Sequence, residues 1–316
     1  MAEGHAERVL SVLRDGVAPA LSPIAASWRR CLTQHNLDPE NRRPPETLTG
    51  AELRFAQARM GPLLAAAQDN LDALFQALGD AGCCVLLTDA DGVPVDRRGA
   101  ESDDAVFRRW GLWEGAVWSE AREGTNGIGT CLTEQRVLTV HRDQHFHTRN
   151  IGLSCTVAPL FDPTGRLAGA LDVSSCRPGI EALTGMVERI VTDAARRIEV
   201  KAFREAFPTA RIVLLPETGA ERASVPMLAV DGDDVVLGAT RAARQALKLS
   251  DETLRRGLAS PDRSTDLDEA ERSAVRRALN QAGGNVSAAA SLLGLSRATL
   301  NRKLQRLDLK RGREFH

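Results

Sequence analysis

The sequence predicts an α+β chain: an antiparallel sheet with flanking helices, then a strand-and-helix fragment, then an all-α unit of three short helices. Three observations point there. Between residues 83 and 174, short apolar runs of strand length alternate with turn-forming residues. On either side, at 52–78 and 180–207, apolar residues recur at spacings of three and four, the period of a helix face. Residues 266–310 repeat that period in three brief bursts broken by glycine.

Composition narrows the class. The 316 residues leave room for two or three domains, and 43% hydrophobic with 26% charged residues supplies both a core and a solvated surface. No apolar run approaches the roughly eighteen residues of a membrane span. MAEGHAERVLSVLRDG lacks a signal-peptide core, so a cytoplasmic protein is expected. Six cysteines without a CxxC pair suit free thiols in a reducing compartment. The expected division is a helical leader at 1–50, a sensor with flanking helices at 51–206, a fragment and linker at 207–264, and a DNA-binding unit at 265–316.

In chain order, SPIAASWRRC reads as a helix capped by Ser22 with Pro23 at its first position, and NLDPENRRPPET as a turn-rich connector. Glu52 to Leu78 reads as one long helix, its stripe running through Leu53, Ala56, Met60, Leu64, Ala67 and Leu71. That stripe serves either a helix pair across a dimer or a cover for the following sheet. Cys83 to Asp89 is the first strand and Val93 to Arg97 its return. Arg136 to His141, Leu153 to Phe161 and Arg166 to Ser174 are further strands, the last two joined by the turn Asp162-Pro163-Thr164-Gly165. Ile180 to Phe207 is an output helix, and Pro226 to Leu249 reads strand, turn, strand, helix before a polar linker.

Between the strands lie three tryptophans, then EGTNGIGTCL, then HRDQHFHTRN, read as long loops closing over one face of the sheet, the usual arrangement of a ligand lid. Candidate effector-pocket residues are Trp110, Trp113, Trp118, Thr125, Asn126, His145 and Cys155, because indoles beside a lid line apolar pockets. His141, His145 and His147 with Asp143 follow no usual zinc spacing, so neither metal nor cofactor is expected. EGTNGIG has no following lysine to meet a phosphate. The cysteines are either redox switches or small apolar filling on strands.

This stretch resembles a GAF sensory domain. EGTNGIGTCL, VHRDQHF and RNIGLSCTVAPLFDPTGRLAGALDVSS, together with the leader SPIAASWRRC, are similar to the sensory half of acetoin- and glycerol-metabolism regulators of the bacterial enhancer-binding family. The resemblance spans about residues 20–200 and implies a small effector, such as an alcohol or ketone. PMLAVDGDDVVLGATRAARQALKL looks like a PAS-type fragment too short to be complete. Regulators of that family place an ATPase between sensor and DNA reader. Here no G-x-x-x-x-G-K-[ST] occurs, and 207–265 is too short for such a module.

In the last segment, Asp266 with Glu269 suggests a capping box, and Leu267, Ala270, Ala274, Val275, Ala278 and Leu279 form a face. Gly283-Gly284 stops that helix. Asn285 caps a second carrying Val286, Ala289, Leu292 and Leu293, and Ser296 caps a third with Leu300, Leu304 and Leu307 inward. A 100° step then turns Ala298, Arg302 and Gln305 outward, flanked by Thr299, Asn301, Lys303 and Arg306, with Arg297 at the start. Such a face suits the major groove, and Asn285 and Ser287 suit phosphate. Seven bases against Asp308 between Arg297 and Arg313, in a chain of net charge −1, argue against a merely solvated bundle. GGNVSAAASLLGLSRATLNRKLQRL resembles the Fis-type helix-turn-helix.

The function expected is an effector-responsive bacterial transcription regulator. It reads double-stranded DNA as a homodimer with half-sites about 34 Å apart, without enzyme activity. Two alternatives stand beside it: an architectural protein bending DNA without an effector, and an enzyme reducing free methionine sulfoxide through its cysteines.

Overall fold

The computed structural model describes residues 3–14, 17–216, 224–232, 235–255, 267–307 and 309. They form two compact units, one of residues 1–206 with 219–225 and one of residues 207–218 with 226–316.

The first unit opens with α1 (Glu3–Ser11), α2 (Ala18–Leu21), α3 (Pro23–Thr33), α4 (Gly50–Arg59) and α5 (Gly61–Leu78). The sheet follows as β1 (Cys83–Asp89) and β2 (Pro94–Arg98), then α6 (Asp104–Trp110), α7 (Glu120–Glu123) and α8 (Gly127–Glu134). It is completed by β3 (Leu138–His141), β4 (Ser154–Phe161) and β5 (Leu167–Ser175), before α9 (Thr184–Ala206).

Strand order is β2-β1-β5-β4-β3, every pairing antiparallel. All residues of β1 and β4 are buried, which is why both read as nearly continuous apolar runs: each face is covered. Cys83, Val85, Leu87, Leu171 and Val173 pack one face against α5 and α9. Cys84, Leu86, Cys155, Val157 and Ala170 pack the other with Trp118 and with Ile128 and Cys131 of α8. Because side chains alternate along a strand, adjacent residues serve opposite cores.

Two expectations are corrected here. The long helix from Glu52 breaks at Met60, where Gly61 and Pro62 start α5; proline lacks an N–H and is tolerated only in a first helical turn. The stripe on α5 covers the sheet, with Leu63, Ala67, Leu71 and Leu74 in the same core as α9. Leu64 is only half-buried.

The segments read as long loops instead contain α6, α7 and α8, and the glycine-rich stretch is a helix start. A Cβ on Gly127 would lie 2.5 Å from Cys155 Cβ, and one on Gly129 2.4 Å from Glu120 N. Gly127 permits close packing onto the sheet, and Gly129 onto the backbone of residues 118–120. The output helix begins with a 3₁₀ turn, Ile180–Leu183, leaving Leu183 exposed.

In the second unit, β6 (Arg211–Leu214), β7 (Met227–Val230) and β8 (Val236–Ala239) make an antiparallel sheet, followed by α10 (Arg241–Leu247) and α11 (Asp251–Arg255). Strand β6 went unread in the sequence because RIVL is half exposed and lacks alternation. Last come α12 (Leu267–Gln281), α13 (Val286–Leu292) and α14 (Arg297–Arg306) around Val275, Leu279, Ala289, Leu300, Leu304 and Leu307. Leu292 is exposed: two residues past buried Ala290, it is rotated about 200° away. Asp266 and the side chains of Leu267, Glu269 and Ala270 fall outside the described residues. Among the described residues, no helix is long and apolar enough to cross a membrane.

Candidate DNA-reading helix and sensor interior

Helix α14 owes its outward face to its cap and its core. Ser296 Oγ accepts from Thr299 N at 3.1 Å, replacing a hydrogen bond the helix start lacks. Leu300, Leu304 and Leu307 are buried, which fixes the rotation. Arg297, Ala298, Arg302, Gln305 and Arg306 are then exposed, with Thr299, Asn301 and Lys303 half-buried. Gly283 and Gly284 both have positive φ, 57° and 81°, and Gly294 64°, so the turns between helices use conformations that glycine alone adopts without strain.

Asn285 is already occupied. Its Oδ1 accepts from Ser287 N at 3.0 Å and Ala288 N at 3.2 Å, so those two N–H groups are satisfied internally. Lys303 and Arg306 are not bare cations either: both pair with Glu271 of α12. Nothing in the sequence flagged Glu271, because a partner some thirty residues away leaves no periodic trace. Lys310, Arg311 and Arg313 lie outside the described residues.

In the first unit, Trp118 is 1% exposed and its Nε1 donates to Gly111 O at 2.7 Å. Asn126 caps α8 through Gly129 N at 2.8 Å and donates to Trp118 O and Gly124 O. His145 is fully buried, with Nε2 3.6 Å from Cys155 Sγ. Burial pushes it down to about 4, leaving a neutral ring, and pushes the Cys155 thiol well up. Trp118, Cys155 and half-buried Trp110 share one apolar cluster. Trp113 lies apart, between the guanidiniums of Arg97 and Arg108 at 4.1 and 3.6 Å from its ring centre. Thr125 joins another network, its hydroxyl 2.6 Å from Ser27 Oγ.

That network was missed. Ser27 Oγ donates to Glu120 Oε2 at 2.6 Å, and Arg30 of α3 reaches Glu120 at 2.7 Å and Glu134 at 2.9 Å. Also missed was Asp172 on the central strand β5. It is wholly buried; Ser174 Oγ donates to its Oδ2 at 2.7 Å, while no donor among the described residues meets Oδ1. Burial raises this carboxyl from 3.8 to about 7. A separate open cleft of about 560 Å³, between Leu48, Phe55, Arg59, Asp89 and Val117, includes none of the sequence-nominated residues. Among the described residues, no group of three or more His, Cys, Asp or Glu is placed to hold a metal ion.

Residues 62–201 match the GAF domain model, and residues 266–307 the model of the bacterial regulatory protein, Fis family. The acetoin catabolism regulatory protein of Cupriavidus necator is 39% identical over 197 residues, 62% of this chain and 29% of its own length. The acetoin dehydrogenase operon transcriptional activator AcoR of Bacillus subtilis is 28% identical, over 74% of this chain and 39% of its own. The propane 2-monooxygenase operon transcriptional activator MimR of Mycolicibacterium smegmatis is 29% identical, over 76% and 39%. The chain thus spans well under half the length of these relatives. In fold it matches a chain of the E. coli DhaR(N)-DhaL complex, with TM-score 0.52 and 16% identity over 72% of this chain and 76% of that one. The chain therefore carries a GAF-matching sheet at 62–201 and a Fis-family-matching three-helix unit at 266–307, and it is similar to regulators of catabolic operons.

Proposed function

We propose that the chain is an effector-responsive transcription regulator that reads double-stranded DNA through α14 as a homodimer, acts in the cytoplasm and catalyses no reaction. One observation carries it: Arg297, Arg302 and Gln305 face solvent on a capped helix held by three buried leucines. Arginine pairs with guanine edges and glutamine with adenine, each good bidentate contact giving roughly 1–3 kcal/mol of discrimination. Thr299 and Asn301 flank that face, and Ser287 stands at the start of α13 near where phosphate would run. Residues 202–265 hold three short strands and two short helices among those described, so switching runs on binding energy alone. A tenfold change in DNA affinity needs about 1.4 kcal/mol of differential effector binding. The names of the relatives favour a small alcohol or ketone as effector.

The experiment is titration of the full chain onto catabolic-promoter fragments at several salt concentrations, with footprinting. A protected palindrome, salt-sensitive affinity and an Arg302→Ala loss of about 1–3 kcal/mol are expected. Salt-insensitive binding, or equal affinity in the variant, overturns the reading.

A further inference from the structure

Asp172 is a wholly buried carboxyl of the first unit. It sits on the middle strand of a five-stranded sheet, between Leu86 and Val157 in the pairing register, in a face otherwise lined by Cys84, Cys155, Ala170 and Trp118. A buried carboxyl is ordinarily matched by a cation or by several donors. This one has a single donor, Ser174, and its Oδ1 has no hydrogen-bond partner among the described residues. Cys84, Cys131 and Cys155 all lie within electrostatic reach, their thiols held protonated by burial and by its charge. They are weak donors and bring no positive charge.

Above Oδ1 stands the start of α8. A Cβ on Gly127 would be 3.7 Å from this oxygen and would collide with Cys155 and Val157. Helix α8 therefore meets the sheet through bare backbone at Gly127, while Ile128 and Cys131 beside it pack into the core on the same face. An outward shift of the helix start, at the cost of contacts made by Ile128 and Cys131, opens space directly over the orphan oxygen. Asn126, which ties the helix start to Trp118 O and Gly124 O, is placed to act as its hinge.

Resting on the reading that residues 62–201 sense an effector, we propose that Asp172 Oδ1 is the anchor of the effector site, accepting a hydroxyl from a small neutral alcohol whose carbon body lies against Cys84, Leu86 and Val157 beneath α8. A hydroxyl supplies the missing donor without adding charge.

The test uses the full chain and four probes: propane-1,2-diol, butane-2,3-diol, its donor-free ether 2,3-dimethoxybutane, and sec-butylammonium. Calorimetry and thermal unfolding are run on the parent, Asp172→Val and Asp172→Asn. At least one diol is expected to bind and raise the unfolding midpoint, while the ether does neither. Asp172→Val, shown folded by its own cooperative transition, is expected at pH 8, where the carboxyl is ionised, to weaken diol binding on the order of 10- to 100-fold, the range for a hydrogen bond to a charged group. Asp172→Asn, which keeps an acceptor, should fall between. Undiminished diol binding in both variants, or no diol binding to the parent, overturns the proposal. Preference for the ammonium overturns the neutral-alcohol class. If the diol binds through Asp172 yet leaves DNA affinity untouched, the anchor stands and the regulator reading fails. If the diol shifts DNA affinity equally in parent and variants, the regulator stands and the anchor fails.

Discussion

Glu271 on α12 pairs with Lys303 on α14, and the same carboxylate also takes Arg306. A helix that should present cations to phosphate therefore has two of them partly neutralised from within its own domain. Replacing Glu271 with Gln should strengthen DNA binding several-fold and steepen its salt dependence by about 1–2 in log–log slope, roughly 0.9 per phosphate engaged. Folding should change by less than about 1 kcal/mol, because these pairs are half exposed. Fluorescence anisotropy against salt checks it; an unchanged slope means both bases were never available to DNA.

Ser296 holds the start of α14 by hydrogen bonds of its hydroxyl with Thr299 N and Thr299 Oγ1. Ser296→Ala should destabilise the C-terminal three-helix unit by about 1 kcal/mol. Hydrogen exchange resolves the effect: amides of α14 should lose protection while those of β1 and β5 keep theirs.

Gly127→Ala places a methyl 2.5 Å from Cys155 Cβ, against a strand that cannot retreat. A loss of about 1–3 kcal/mol is expected, as for overpacking generally. Chemical denaturation measures it, and Cys155→Gly in the same chain should recover part of the loss by vacating the collision.

Asp172 makes stability depend on pH in a direction opposite to most carboxylates. Its folded value near 7 exceeds the ordinary 3.8, so the folded chain holds a proton that the unfolded chain has released. That advantage fades as the pH rises from about 4 to 7, an upper limit of about 4 kcal/mol. His145 works the other way: lowered from 6.5 to about 4, it removes stability as the pH falls through that interval. Asp172→Asn isolates the first effect. Relative to the parent, the variant's melting temperature should be several degrees more favourable at pH 8 than at pH 5, whatever fixed penalty the buried amide brings. A constant difference across pH would mean that the carboxyl titrates normally.

Much of this was legible in the residues. CCVLLTD and SCTVAPLF announce covered strands because fully buried strands need no polar alternation, and Ser22, Asn285 and Ser296 announce helix starts because their side chains bond the free N–H groups. What stayed hidden was anything set by distance through space. Glu120 gathers Ser27 and Arg30 from some ninety residues away, and Glu271 gathers Lys303 and Arg306. The glycines of EGTNGIG look the same whether they cradle a phosphate or press a helix onto a strand; only the neighbour, Cys155, tells them apart. Asp172 in LAGALDVSS carries no sign that one of its oxygens would be left without a donor.

The alternation of β5 sets how far news of a bound molecule must travel. Leu171 and Val173, on either side of Asp172, press into the core shared with α9, while Asp172 itself points to the opposite layer. A tug on that carboxylate tilts peptide units whose next side chains already touch the helix leading out of the sensor. Relay across the sheet is one residue long, and it asks nothing of the surrounding chain except stiffness.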